Sequence, residues 1–145
     1  MIPNKACPVV LRFREELQIL AFRHPLAGLQ LVKGSIEPGE SAAAAALREL
    51  GEEAGIGAAS ILADLGVWAS DYQGQVWSFQ LCRVAYELPE QWTQWVTDDG
   101  GHDFDFFWHP LAAEPSSEWH EVFCRALAYI RTAALDGATC STSEK

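Results

Sequence analysis

The sequence predicts a single α/β domain, and three observations lead there. Strand-like runs lie on both sides of a helix-forming stretch at Ser41 to Ala54, and a helical stripe from Ser117 to Leu135 closes the chain. A length of 145 residues with 49% apolar content supplies one sizeable core. No internal repeat and no linker divides it, so the domain is expected over 1–135, with 136–145 (DGATCSTSEK) a polar, flexible tail.

Ala6 to Phe13 and Leu17 to Phe22 are β-rich runs around the polar Arg14-Glu15-Glu16, the pattern of a hairpin. Arg12, Arg14 and Arg23 lie on or beside it and read either as solvated strand-end charges or as contacts for a substrate phosphate. His24-Pro25 ends the second run. Leu29 to Val32 leads into Lys33, either a surface lysine or a point charge for a phosphate. Gly34 permits close backbone approach or positive φ, and Pro38-Gly39 is a turn dipeptide that brings the chain round to the helix.

Ser41 is suited to cap that helix, an alanine run sustains it and Gly55 can end it in a left-handed cap. At ~100° per residue Ala43, Leu47, Leu50 and Ala54 form an apolar face, and Glu49, Glu52 and Glu53 fall opposite. Gly51 costs about 1 kcal/mol against alanine, and tight packing is its expected reason. Glu49 and Glu53 are a like-charged i, i+4 pair, and only Arg48 to Glu52 is favourable at that spacing. Clustered carboxylates raise one another's pKa unless a cation sits among them. Two readings follow: a seat for a hard divalent cation such as Mg²⁺, to which the Gly34 carbonyl could also turn, or a solvated acidic helix face.

Ser60 to Trp68 and Gln75 to Tyr86 alternate as strands, joined by a loop from Ser70 to Gly74 that carries Tyr72. Trp92 and Trp95 stand at i, i+3 in Leu88 to Thr97, which reads as a short helical turn whose tryptophans pack, stack on a base or support a homodimer. Asp98 to Asp103 is an acidic loop before the strand Phe104 to Leu111. In the last helix Trp119, Val122, Phe123, Ala126, Leu127 and Ile130 form the core-facing stripe. His120-Glu121 is a near miss to a zinc motif that lacks its second histidine.

The net charge of −10 and pI near 4.7 oppose a general nucleic-acid or anionic-membrane surface. Cysteines at 7, 82, 124 and 140 show no C-x-x-C spacing. With no signal peptide and no long apolar run, the chain reads as a soluble cytoplasmic protein with reduced thiols.

Residues 34–56 match G-x5-E-x7-R-E-U-x-E-E-x-G-U, with U apolar, at every defined position: Gly34, Glu40, Arg48, Glu49, Leu50, Glu52, Glu53, Gly55 and Ile56. The fixed identities would recur by chance in well under roughly one chain in a million. The chain therefore resembles the Nudix hydrolases. That resemblance implies an α/β/α sandwich with a mixed sheet and hydrolysis of a phosphoanhydride in a nucleoside diphosphate linked to another group. It makes Glu49, Glu52 and Glu53 a cage for one to three Mg²⁺ or Mn²⁺ ions, with Glu52 or Glu49 taking the proton from water. Arg48 would orient a neighbouring glutamate, and Glu40 would brace the junction of loop and helix.

Tyr72 stands at about the position where some subfamilies, the diadenosine polyphosphate hydrolases among them, place a base-stacking tyrosine; the alternative is a loop tyrosine with no role. His102 and Asp103 are the nearest candidates for the additional acidic group that relatives carry before the late strand. The opening LVKGSIEPGES is similar to that of diadenosine and diphosphoinositol polyphosphate hydrolases, with Val32 where these commonly have proline. Scarce basic residues disfavour an inositol polyphosphate. Nucleoside triphosphates, dinucleoside polyphosphates and nucleotide sugars stay open. A binding module that keeps the fold without turnover is the competing class, and RNA cap removal fits poorly with the acidic balance.

Overall fold

The computed structural model describes residues 1–97 and 100–143. Asp98 and Asp99 of the expected acidic loop, and the side chains of the expected tail, lie outside the described residues. In chain order the elements are β1 (Lys5–Arg14), β2 (Glu16–His24), β3 (Gly28–Gln30), β4 (Gly34–Ser35), α1 (Ala42–Ala54), β5 (Ala59–Ala69), β6 (Val76–Val84), β7 (Trp92–Val96), β8 (His102–Pro110) and α2 (Glu121–Ser143).

Eight strands form one sheet in the order β5-β6-β1-β2-β8-β7, with β3 beside β2 and β4 beside β1. The sheet is mixed because β1 and β6 run parallel while the other pairs are antiparallel. Alternation along the strands divides the core in two. Cys7, Val9, Ile19, Trp77 and Phe79 pack with Val122, Phe123 and Leu127 of α2. Val10, Leu20, Phe22, Cys82, Phe104 and Phe106 pack with Leu50 and Ala54 of α1. Helices on opposite faces of a mixed sheet make the α/β/α sandwich that the sequence implies.

One departure from simple pairing shapes the site. β1 pairs with β2 only from Leu11 to Arg14, and toward its start it takes β4 instead, with Lys5 opposite Ser35 and Ala6 opposite Gly34. The loop ahead of the helix is thereby tied to the sheet.

Three expectations are corrected. The segment read as a helical turn is strand β7, paired with β8 from Trp92–Phe106 to Val96–His102. An i, i+3 spacing suits a helix, but in a strand it puts two residues on opposite faces. Trp92 stacks on Phe106 at 5.0 Å, and Trp95 is 58% exposed. His102 and Asp103 belong to β8 and not to a loop. α2 begins at Glu121, with Trp119 buried just before it, and its backbone continues past Leu135 to Ser143. Gly137 costs a helix about 1 kcal/mol but does not by itself end one. No helix among the described residues is long and apolar enough to cross a membrane.

Candidate active site

Both ends of α1 are fixed as its sequence foretells. Ser41 is extended at φ −76 and ψ 158, and its hydroxyl accepts from the Ala44 N–H at 3.0 Å. Gly55 closes the helix at φ 74, with its N–H donating to Gly51 at 3.1 Å. These limits set the rotation of the helix, and the rotation differs from the wheel drawn on apolar residues alone. Ala45, Ala46, Glu49, Leu50, Glu53 and Ala54 are the buried residues of α1, so Glu49 and Glu53 lie on the inner side and not opposite the core. Small alanines beside the sheet let the inward arc widen to include two carboxylates.

Arg48 organises the junction. Its Nε donates to Glu40 Oε2 at 2.8 Å and its Nη2 to Glu40 Oε1 at 2.9 Å, a two-pronged grip. Nη2 also donates to the Ser35 carbonyl at 2.9 Å, and Nη1 to Glu49 at 2.8 Å and Glu52 at 3.2 Å. A guanidinium has five N–H donors, and these bonds use every one. The Arg48 fork, helped by the backbone N–H of Glu37, holds the Glu40 carboxyl down to about 2. The same bond to Glu40, followed by that to Glu49, raises the pKa of Arg48. Glu40 thus braces loop against helix, the role that the resemblance implies.

Gly34 is not in the left-handed region, so its use is close approach. A Cβ built there would overlap the Glu49 carboxylate. The missing side chain lets a carboxylate rest against the backbone of the loop.

Glu49, Glu53 and Gly34 share a cleft of about 490 Å³ with Lys5, Lys33, Ser35 and Glu37. Glu52 is not among them. It lies on the outer side of the helix, its side chain 59% exposed and bonded to Arg48. Of the acidic triplet, the structure therefore brings two together and keeps one apart.

The cleft's donors are hard oxygens of the kind that suit Mg²⁺ or Mn²⁺, and the Gly34 cradle leaves backbone beside one of them. Among the described residues no three His, Cys, Asp or Glu side chains are grouped to enclose an ion. Glu52 lies outward of the pair, and Arg48 engages it and one oxygen of Glu49. The donor chemistry fits a divalent cation, and the Glu52 oxygen bonded to Arg48 would have to leave it to join.

Lys33 does line this cleft. Its ammonium donates to Gln75 Oε1 at 2.9 Å and lies over the rings of Trp77 and Phe123 at 4.9 and 5.6 Å. Burial lowers its pKa, and the charge of Lys5 adds to that effect. Lys5 was not foreseen because it is remote in sequence and arrives only through the pairing of β1 with β4. In the sequence Gln75 and Trp77 show only strand alternation.

Other candidates fall elsewhere. Arg23 pairs with Glu118 at 2.9 Å and lines a second cleft of about 610 Å³ with Leu29, Trp92, Asp105 and Phe107, none of which lines the first. Tyr72 meets His120 edge-on at 5.0 Å and packs on the core beside α2. His102 lies 4.8 Å from His24, and neither it nor Asp103 lines the glutamate cleft. Nδ1 of His120 accepts from the Val122 N–H at 3.1 Å, which makes it a cap for α2. Cys7, Cys82 and Cys124 are free.

A family model described as NUDIX domain matches residues 3–127. No curated protein matches by sequence. An ADP-ribose pyrophosphatase from Streptococcus suis has a similar structure, with TM-score 0.65, 16% identity and 92% of each chain covered. An ADP compounds hydrolase gives TM-score 0.62 and 24% identity, over 95% of this chain and 77% of that one. A C. elegans Ap4A hydrolase gives 0.60 and 20%, over 94% of this chain and 99% of that one. At these identities the structures speak to the fold. The family match spans both helix-bearing faces and every residue of the signature, and by it the chain belongs to the NUDIX family.

Proposed function

We propose that the enzyme hydrolyses a phosphoanhydride bond in a nucleoside diphosphate linked to another group, with Mg²⁺ or Mn²⁺ as cofactor. The observation that carries this reading is the division of charge in one cleft, where Glu49 and Glu53 share the lining with Lys5 and Lys33. An acidic wall alone would repel a diphosphate. Two ammonium groups alone would hold it without activating water.

Glu49, Glu53 and the Gly34 backbone would hold the cation, joined by Glu52 once it leaves Arg48. When bound, such an ion neutralises charge on phosphate oxygens. Lys33 and Lys5 orient the diphosphate as point charges. Glu49 or Glu52 accepts the proton of the attacking water, and Arg48 fixes the direction of Glu49.

The second cleft is our candidate for the remainder of the substrate, beside Arg23 and Phe107. Leu29 lines that cleft and Lys33 the first, and four residues of extended chain reach at most about 14 Å. A nucleoside diphosphate is of comparable length. Tyr72 is proposed to touch substrate only where it projects past His120. The similar structures are named for ADP-ribose, ADP compounds and Ap4A, which favours a diphosphate-linked nucleoside, dinucleoside polyphosphates included, over a free triphosphate. We place the enzyme in the cytoplasm, without nucleic-acid partners. A homodimer would form through the exposed Trp95 of edge strand β7.

The test is a panel of nucleotide sugars, dinucleoside polyphosphates and triphosphates with Mg²⁺ or Mn²⁺, reading nucleotide, phosphate and pyrophosphate. Glu53→Gln is expected to lower kcat/KM by about 10²–10³ with the circular dichroism spectrum kept. Tight nucleotide binding with no product from any member would identify a non-catalytic module instead.

A further inference from the structure

We propose that Gln75 is a positioning residue that fixes the Lys33 ammonium at the glutamate cleft before substrate arrives. It rests on the reading of Lys33 as a phosphate contact. Gln75 Oε1 accepts from Lys33 Nζ and from Trp77 Nε1, each at 2.9 Å. Trp77 is fully buried, so its indole N–H is a donor fixed in the core. Two donors converging on one atom settle that the amide oxygen, not the nitrogen, faces the lysine. Gln75 engages one of the three ammonium donors of Lys33, which itself lines the cleft. A lysine free in solvent would lose rotamer freedom on meeting a phosphate, whereas this one has lost it on folding.

The loop that delivers Gln75 supports the same role. Asp71 and Gln73 have φ of 54 and 51, a region that non-glycine residues occupy only when their surroundings impose it. Here the surroundings do. The Gln75 carbonyl accepts from the Ser70 N–H at 3.1 Å and from the Ser70 hydroxyl at 2.7 Å. Arg125 of α2 donates to the Ser70 carbonyl. Asn4 clamps the far side, donating to the Gly74 carbonyl at 3.1 Å and accepting from the Val76 N–H at 2.9 Å. Glutamine at 75 is thus presented by a strained turn held on both flanks, while Trp77 sets its amide.

The experiment is a double-mutant cycle of Lys33→Met and Gln75→Met, read as affinity for inorganic pyrophosphate with Mg²⁺ and as KM and kcat on the best panel substrate. Lys33→Met is expected to weaken binding about tenfold and Gln75→Met about threefold, with the loss in KM and not in kcat. Adding Gln75→Met to Lys33→Met should then change nothing further. A Gln75 effect that persists undiminished without Lys33, or no pyrophosphate binding by the wild type, overturns the proposal. A crystal of the wild type with pyrophosphate and Mg²⁺ decides independently of how the variants fold: Lys33 should touch phosphate while still bonded to Gln75, and a lysine turned away refutes it. Coupled loss of pyrophosphate affinity in a protein that turns over no substrate would sink the hydrolase reading alone. Turnover with an additive cycle would sink only the role of Gln75.

Discussion

The two sides of α1 carry the same residue type in opposite circumstances. On the inner side Glu49 and Glu53 are buried at 7% exposure each and share a cleft with two lysines. On the outer side Glu52, with its side chain 59% exposed, lines a shallow groove beside Gly51 and Leu47. Arg48 stands between and bonds to both sides at once. A helix can therefore present neighbouring carboxylates as separate instruments, provided that one cation holds them apart. In the proposed function the inner pair would ligate in place. The outer one would join it by exchanging its bond to Arg48.

After Glu53→Gln, the largest effect should come from filling the inner side. Gly34→Ala puts a methyl group where the Glu49 carboxylate rests, and kcat/KM should fall about a hundredfold while the melting temperature changes little. Unchanged turnover would show that the position of Glu49 is irrelevant to chemistry. The outer side should behave in the opposite way. A Cβ at Gly51 would meet only the Ile56 carbonyl, at an ordinary 3.6 Å, so the tight packing expected of this glycine is absent. Gly51→Ala should add about 1 kcal/mol of stability in urea unfolding without loss of activity.

The smallest effect concerns the brace between the sides. Glu40 has a folded pKa of about 2, below its unfolded value of about 4.3, so its contribution is complete above the latter. It is lost as pH falls from about 4.3 towards about 2. Glu40→Gln should flatten the fall of melting temperature across that window, and an identical profile in the variant would remove the brace.

What could be read from the chain was what is local in it. The limits of α1 depend on Ser41 and Gly55, and the spacing of Gly34, Glu40 and Arg48 lies within one loop and one helix, so side-chain chemistry and periodicity reach them. The glutamate wheel fails because leucines alone do not mark the core face, which alanines beside the sheet shift. β7 failed because a pair of tryptophans fits either period until β8 chooses. Lys5 and Gln75 reach the cleft through pairing with β4 and a turn held by Asn4 and Arg125, contacts made by residues distant along the chain. Arg23 carried the right charge, yet Glu118 holds it in the second cleft.

The most direct measurement is anomalous scattering from a crystal grown with Mn²⁺ and a nucleoside diphosphate. The expected result is manganese within about 2.2 Å of Glu49 and Glu53 oxygens, beside Gly34 and next to the diphosphate, with Glu52 swung from Arg48 towards the ion. Nucleotide bound with no manganese at those carboxylates would contradict the assignment of this cleft as the catalytic centre.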